Sequence, residues 1–361
     1  MRQVRTRKRF DIVDYLPAIM AVIGVAVITV LLVIIFHTDI KTVKRSSLKN
    51  MPFSAQSTYV PFAGGAVFID NNENRLYYVD DRSEIMWGFA GTTEDMKLYA
   101  SVSRAAVTTG KKLQVVNKDG TLVFSKEFDK AISDITLGEK LTAVALSHSD
   151  DTIILNAAGE EIDRITSNSN CTNIRFGVYT SDSVWVITAQ TSGYSPVFQL
   201  STYKYENEKT QTVTFDTDNQ MMYDAVFCDN LCYIFGTEKI MVRDCNYTGA
   251  VNNDYSANGY DVVASGLISG KMHILLMNNG NLKAIGEKAV KDVPCEEKIN
   301  CAAVSQKGYF GFSNYFMYKF NPKNGSYKKY RFPVKVDGLV QGDGYVFITS
   351  GSTVYRFDIS A

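Results

Sequence analysis

Tryptophan and histidine are almost missing from this chain: its 361 residues hold two Trp and three His, with only seven Pro and six Cys. His37, His148 and His273 stand far apart, so no histidines have the spacing of a metal site. There is no G-x-G-x-x-G after a strand, no Walker sequence, no H-E-x-x-H, no G-x-S-x-G and no EF-hand loop. These absences remove the common routes to dinucleotide, nucleotide, zinc, serine-hydrolase and calcium chemistry. No catalytic, cofactor or metal residue is therefore assigned. Six cysteines, Cys171, Cys228, Cys232, Cys245, Cys295 and Cys301, are too sparse for a disulfide scaffold. They read either as local pairs, Cys228 with Cys232 and Cys295 with Cys301, or as buried free thiols.

Charge is absent from one long run. Leu16 to Phe36 is 21 residues without an ionisable side chain, and a helix at about 1.5 Å per residue would cover roughly the 30 Å of a bilayer core. The run exceeds a signal-peptide core and continues into HTDIKTVKR with no small-x-small cleavage site. It predicts one uncleaved transmembrane helix over 16–36, behind a basic tail over 1–15 and ahead of a tether over 37–53. Five Lys/Arg precede the run and four follow it, which leans towards a cytoplasmic N-terminus and an extracytoplasmic C-terminal domain in the cell membrane. Residues 51–361 hold 29 basic and 35 acidic side chains, a net of −6. That excess argues against nucleic acid as a partner.

From Tyr59 onward, runs of four to eight residues rich in Val, Ile, Tyr and Phe alternate with Gly, Asn and Asp turns, the mark of an all-β chain. One hairpin pattern recurs at 64–80, 102–117, 138–155, 181–204, 228–243, 270–285, 307–320 and 343–357, with starts 36 to 47 residues apart. A period near 40 with about four strands per unit is propeller spacing, because each small sheet needs a neighbour on both faces. The expected fold over 54–361 is an eight-bladed β-propeller, with seven blades as the alternative and a straight β-solenoid as runner-up. After Phe357 too few residues remain for an outer strand, so a strand from within 47–60 is expected to complete the last blade and remove an open edge.

One alignment across the units suggests a ligand ring. Asp134, Asp224, Asp261, Asn300 and Asp337 each stand at or near the start of a presumed innermost strand, where they could converge on one mouth of the axial channel and hold a cation or a basic group of a partner. Arg175 occupies a comparable position. As isolated residues the five would be turn caps. Three glycosylation sequons stand at Asn170, Asn246 and Asn324.

The sum of a short basic tail, one apolar run, a tether and hairpins such as Leu76–Asp80, Ile274–Asn278 and Val354–Asp358 resembles a family of uncharacterised single-span membrane proteins of anaerobic Gram-positive bacteria, whose outer domain is a quinoprotein/WD-repeat-like propeller. The repeated G-H…W-D signature and the repeated aromatic docking motif of those propellers are missing, with only Trp87 and Trp185 present. The resemblance implies a membrane-anchored extracytoplasmic propeller. A rigid disc with broad loop faces suits a binding or assembly module for a protein or cell-envelope component more than an enzyme. A saccharide-acting or quinone-using enzyme and a purely structural envelope protein are the alternatives.

Overall fold

Nearly every strand in the middle of a sheet is buried on both of its faces, and that burial explains why the chain reads as short, unbroken apolar runs. Thr152–Leu155 and Gly308–Phe312 have no exposed face, whereas outer strands such as Glu161–Ile165 and Tyr327–Arg331 carry the charge. The computed structural model describes residues 20–29, 40–90, 96–166, 171–192, 195–206, 209–215, 220–245, 251–286 and 290–360. It separates into two units, Met1–Thr42 and Val43–Ala361.

In the first unit the described part of the apolar run is helical over 20–29. Ten residues cover about 15 Å, half of a bilayer core. Among the described residues no helix is long and apolar enough to cross a membrane. The expected transmembrane helix over 16–36, and the single-pass anchoring and extracytoplasmic placement that rested on it, are corrected accordingly. A run of apolar residues gives a length of chain, and the length of helix has to be found separately. Residues 16–19 and 30–36 lie outside the described residues.

The second unit is an eight-bladed propeller. Blade one comprises Tyr59–Phe62, Gly65–Asp70, Arg75–Val79 and Ile85–Ala90; blade two runs from Met96–Ala100 to Leu122–Glu127; blade three from Ile132–Leu137 to Glu161–Ile165. Blade four runs from Cys171–Thr180 to Lys209–Phe215, blade five from Met222–Cys228 to Val251–Ser256, blade six from Asp261–Ile268 to Val290–Val293 and blade seven from Cys301–Ser305 to Tyr327–Arg331. Within each blade the strands pair antiparallel in chain order. First strands of successive blades approach one another from blade one to blade five, and from blade six through blade eight back to blade one, so they form the inner ring.

Blade eight is built from both ends of the unit. Gly338–Gln341, Tyr345–Ser350 and Thr353–Asp358 supply three strands, and Leu48–Ser54 supplies the outermost, pairing Leu48 with Phe357 and Asn50 with Tyr355. The strand falls inside the segment 47–60 from which closure was expected. The core is distributed likewise. Eight apolar clusters occupy the eight seams between neighbouring blades. A radial stack gives every sheet an apolar partner on each side, which no single small sheet could find alone.

Candidate functional site

The inner strands carry repeated bulges, and the bulges decide which of the aligned polar residues meet. In blades three, four and five the ladder slips by one residue just before Asp134, Arg175 and Asp224. A bulge re-aims the side chain that follows it, and these three residues occupy the same place in successive blades. Arg175 stands between its neighbours' carboxylates: Nη1 lies 3.4 Å from Asp134 Oδ2 and Nε 4.0 Å from Asp224 Oδ1. Each Asp also accepts the N–H of the next residue at 2.9 Å, from Ile135 and from Ala225. Burial pushes the Asp224 carboxyl upward, opposed by the Ala225 N–H and Arg175. Burial, reinforced by the neighbouring Asp134, raises the Tyr99 phenol to about 12.

The other three aligned residues have their own surroundings. In blade six the slip comes before Ala264, so Ala264 takes the place of Asp134 and Asp224, while Asp261 lies nearer the strand's start, opposite Met277 and exposed. Asn300 donates through Nδ2 to Asn314 Oδ1 at 2.7 Å. Asp337 accepts the Gly351 N–H at 2.8 Å and pairs with Lys335 at 2.7 Å, and these two contacts hold its carboxyl low. The structure therefore gathers Asp134 and Asp224 around one cation and leaves Asn300 and Asp337 on local partners. Among the described residues no group of three or more His, Cys, Asp or Glu could hold a metal ion.

The cysteines also depart from their expected local pairs; all six are free thiols. Cys228 faces Leu231 in the ladder and Cys232 faces Phe227, so their side chains point to opposite faces of the sheet. Cys228 packs into the seam between blades five and six, and Cys232 into the seam between blades four and five. Cys295 and Cys301 are likewise divided between the seams on either side of blade seven. Asn324, the one sequon among the described residues, is exposed, and its Oδ1 accepts from the Ser326 N–H and hydroxyl. Asn170 and Asn246 lie outside the described residues.

A feature that sequence reasoning missed lies at the outer edge of blade one. Val79 pairs with Ile85 and Tyr78 with Trp87, leaving Met86 as the extra residue of a bulge. Ile85 and Met86 are 53% and 57% exposed, and Val102 is 85% exposed on the loop into the second strand of blade two. Met86, Trp87 and Tyr78 form the apolar lining of a groove of about 670 Å³ between blades one and two, with Asp80, Lys118 and Asp119 on its rim. Trp87 is fixed from below: its Nε1 donates to Lys118 O at 2.9 Å, and its ring lies on Gly120, where an added Cβ would stand 2.7 Å from Cγ. Phe124 lies on Gly159 of blade three in the same way. Among the described residues the docking of an outer-strand aromatic on the next blade's turn is thus present twice, once with Phe in place of Trp. Its signal was an aromatic seven residues after the Asp or Asn that opens a turn, Asp80 to Trp87 and Asn117 to Phe124.

A second cavity of about 360 Å³ lies between blades six and seven. At its lining the buried His273 and Tyr309 share a 2.7 Å hydrogen bond between Nδ1 and the hydroxyl, and Lys291 reaches across to Lys323 O at 3.4 Å. Burial raises the Tyr309 phenol to about 12, which keeps it neutral and able to donate.

No family model matches the chain, and no curated protein matches it. Solved structures do. Saccharomyces cerevisiae Sqt1 aligns at TM-score 0.58 with 11% identity, covering 86% of this chain and 99% of that one. BamB from Moraxella catarrhalis aligns at 0.52 with 12% identity, over 86% and 100%. Kluyveromyces lactis Hsv2 aligns at 0.51 with 9% identity, over 76% and 98%. At such identities the likeness establishes the propeller fold alone. The expected membership of a single-span family from anaerobic Gram-positive bacteria is corrected: no family model matches, and the three structures above come from two yeasts and from Moraxella.

Proposed function

We propose that the propeller is a binding module for a protein partner, and that an apolar anchor of that partner enters the groove between blades one and two. The observation that carries this reading is the bulged, exposed Met86 beside the docked Trp87. An outer-edge strand ordinarily protects itself with charge, and here it presents Ile85 and Met86 to solvent. An aromatic floor held by a hydrogen bond and a glycine contact is pre-organised, which lowers the cost of ordering on binding. Asp80, Asp81, Glu84 and Asp119 outnumber Arg82 and Lys118 on the neighbouring loops, so a polypeptide with an apolar anchor and a basic flank complements it. The module role keeps its place ahead of the enzyme alternative because the groove offers shape and charge to a partner.

A photo-crosslinking residue at position 86 should label a polypeptide in cells, and the same residue at Leu267, a comparably exposed site on blade six, should not. Asp119→Lys should cut the labelling at 86 at least severalfold. Equal labelling from both positions, or labelling at 86 that is indifferent to Asp119→Lys, would reject the groove as the docking site.

A further inference from the structure

Two thiols face one another in the seam between blades four and five. Leu231–Gly236 and Lys239–Asp244 pair antiparallel with Cys232 opposite Arg243, so Cys245, two residues beyond Arg243, lies diagonally on the same face as Cys232. Both belong to the same apolar cluster, Cys232 fully buried and Cys245 half-buried at its border. Diagonal neighbours in such a ladder stand roughly 7 Å apart at Cα, just beyond the usual disulfide range. Cys245 is the first residue past its strand, with its N–H on Asn230 O at 2.7 Å, so a small shift at a strand end closes the gap.

The two positions differ as an attacking and a resolving thiol differ. The neighbouring Cys232 thiol holds the Cys245 thiol below the ordinary range. Burial pushes Cys228 up, Cys295 up to about 11 and Cys301 up to about 12. Thiolate character and access govern oxidation, and Cys245 combines them.

We propose that Cys232 and Cys245 form a reversible disulfide that staples two strands of blade five, with oxidised glutathione as a competent oxidant. Cys245 loses its proton and its thiolate attacks one sulfur of glutathione disulfide, forming a mixed disulfide and expelling one glutathione thiolate. Cys232 then gives up its proton and attacks the Cys245 sulfur, expelling the second glutathione thiolate. The two released protons end on the two glutathione thiols. Two protein thiols are oxidised to one disulfide, and one glutathione disulfide is reduced to two thiols.

The test is to equilibrate the reduced full chain in glutathione buffers from reducing to fully oxidising, quench with acid, alkylate free thiols and map linked peptides by mass spectrometry. The expected product joins Cys232 to Cys245 and leaves four of the six thiols open to alkylation. Its melting temperature should rise by a few degrees, reversibly with dithiothreitol. Because Cys228 shares a tryptic peptide with Cys232, Cys228→Ser must retain the link. Cys245→Ser must abolish it, and Cys232→Ser must trap one glutathione on Cys245. Absence of the link under fully oxidising conditions, a link between other cysteines, or a mixed disulfide on Cys245 that persists in the unsubstituted chain would each overturn the proposal.

Discussion

Blade one has two neighbours and meets them by different means. Towards blade eight it is sealed: Phe53 of the closing strand stacks within 4.8 to 6.1 Å of Tyr59, Phe68 and Phe347. Two hydrogen bonds cross the same seam, a buried one from the Tyr345 hydroxyl to Gly65 O at 2.7 Å and a partly buried one from Arg356 Nε to Gly64 O at 3.1 Å. Towards blade two the inner part of the seam is as well filled, by Phe62, Leu76, Leu98 and Val107 among others, yet its outer edge opens into the groove lined by Met86 and Trp87. The closing seam brings Phe347 against Phe53 and Tyr59, some 300 residues away along the chain, and the closing strand is held to the rest of blade eight by pairing and packing alone. Dense contact there has to offset a large loop-closure entropy. The seam between blades one and two closes no such long loop, so it can leave an edge uncovered for a partner.

The largest expected effect breaks the sealed side. Phe53→Ala removes a ring that is 7% exposed among three other rings, and should cost about 3–5 kcal/mol. Met86→Asp on the open side changes an exposed residue and should stay within about 0.5 kcal/mol. Chemical denaturation of both variants checks the contrast. Equal losses would show that the two flanks of blade one carry equal load.

A smaller effect sharpens the role of the docked ring. Gly120 has φ +83° under the Trp87 ring, whereas Gly351, in the hairpin of blade eight, has φ +58° with open space around it. Alanine at either position meets the left-handed penalty of about 1–2 kcal/mol. Only at Gly120 does the new methyl also meet an indole, for roughly 1–3 kcal/mol more. Melting temperatures of the two alanine variants should separate accordingly, and identical values would mean that the ring is free to swing away and does not form a fixed floor.

How much of this was legible beforehand depends on whether a feature repeats. The hairpins of Val, Ile, Phe and Tyr return with every blade, so the propeller, its eight units and its closing strand could be read from spacing. Arg175 could be aligned with Asp134, but its exchange with two carboxylates depends on one-residue bulges that leave no mark in composition. Asp261 illustrates the cost: it aligns well by counting, and the slip before Ala264 puts another residue in the shared place. Cys228 and Cys232 looked like a bracket around a turn, and the alternation of faces parted them. The apolar run near the N-terminus misled for the opposite reason. Hydropathy is strong there, but it reports what the side chains prefer and leaves the extent of the helix undetermined.

The smallest effect concerns the hydrogen bond that locks the sealed side. Tyr345 is 3% exposed, and burial raises its phenol to about 12, with Arg356 pulling the other way. A phenol raised in the folded state contributes stability that is complete below its unfolded pKa near 10 and is lost as pH rises through about 12. At pH 7 Tyr345→Phe deletes the donor to Gly65 O and leaves a buried carbonyl without it, for about 1 kcal/mol. At pH 12 the unsubstituted chain must either ionise a buried phenol or unfold, while the phenylalanine variant has nothing to ionise at that position. Tyr99, Tyr233 and Tyr309, also raised to about 12, titrate alike in both chains and cancel in the comparison. The difference in melting temperature should therefore favour the unsubstituted chain at neutral pH, shrink above pH 10 and vanish or reverse near 12. A difference that stays constant across that window would show that Tyr345 does not titrate within the seam and that the hydroxyl's contribution there is packing alone.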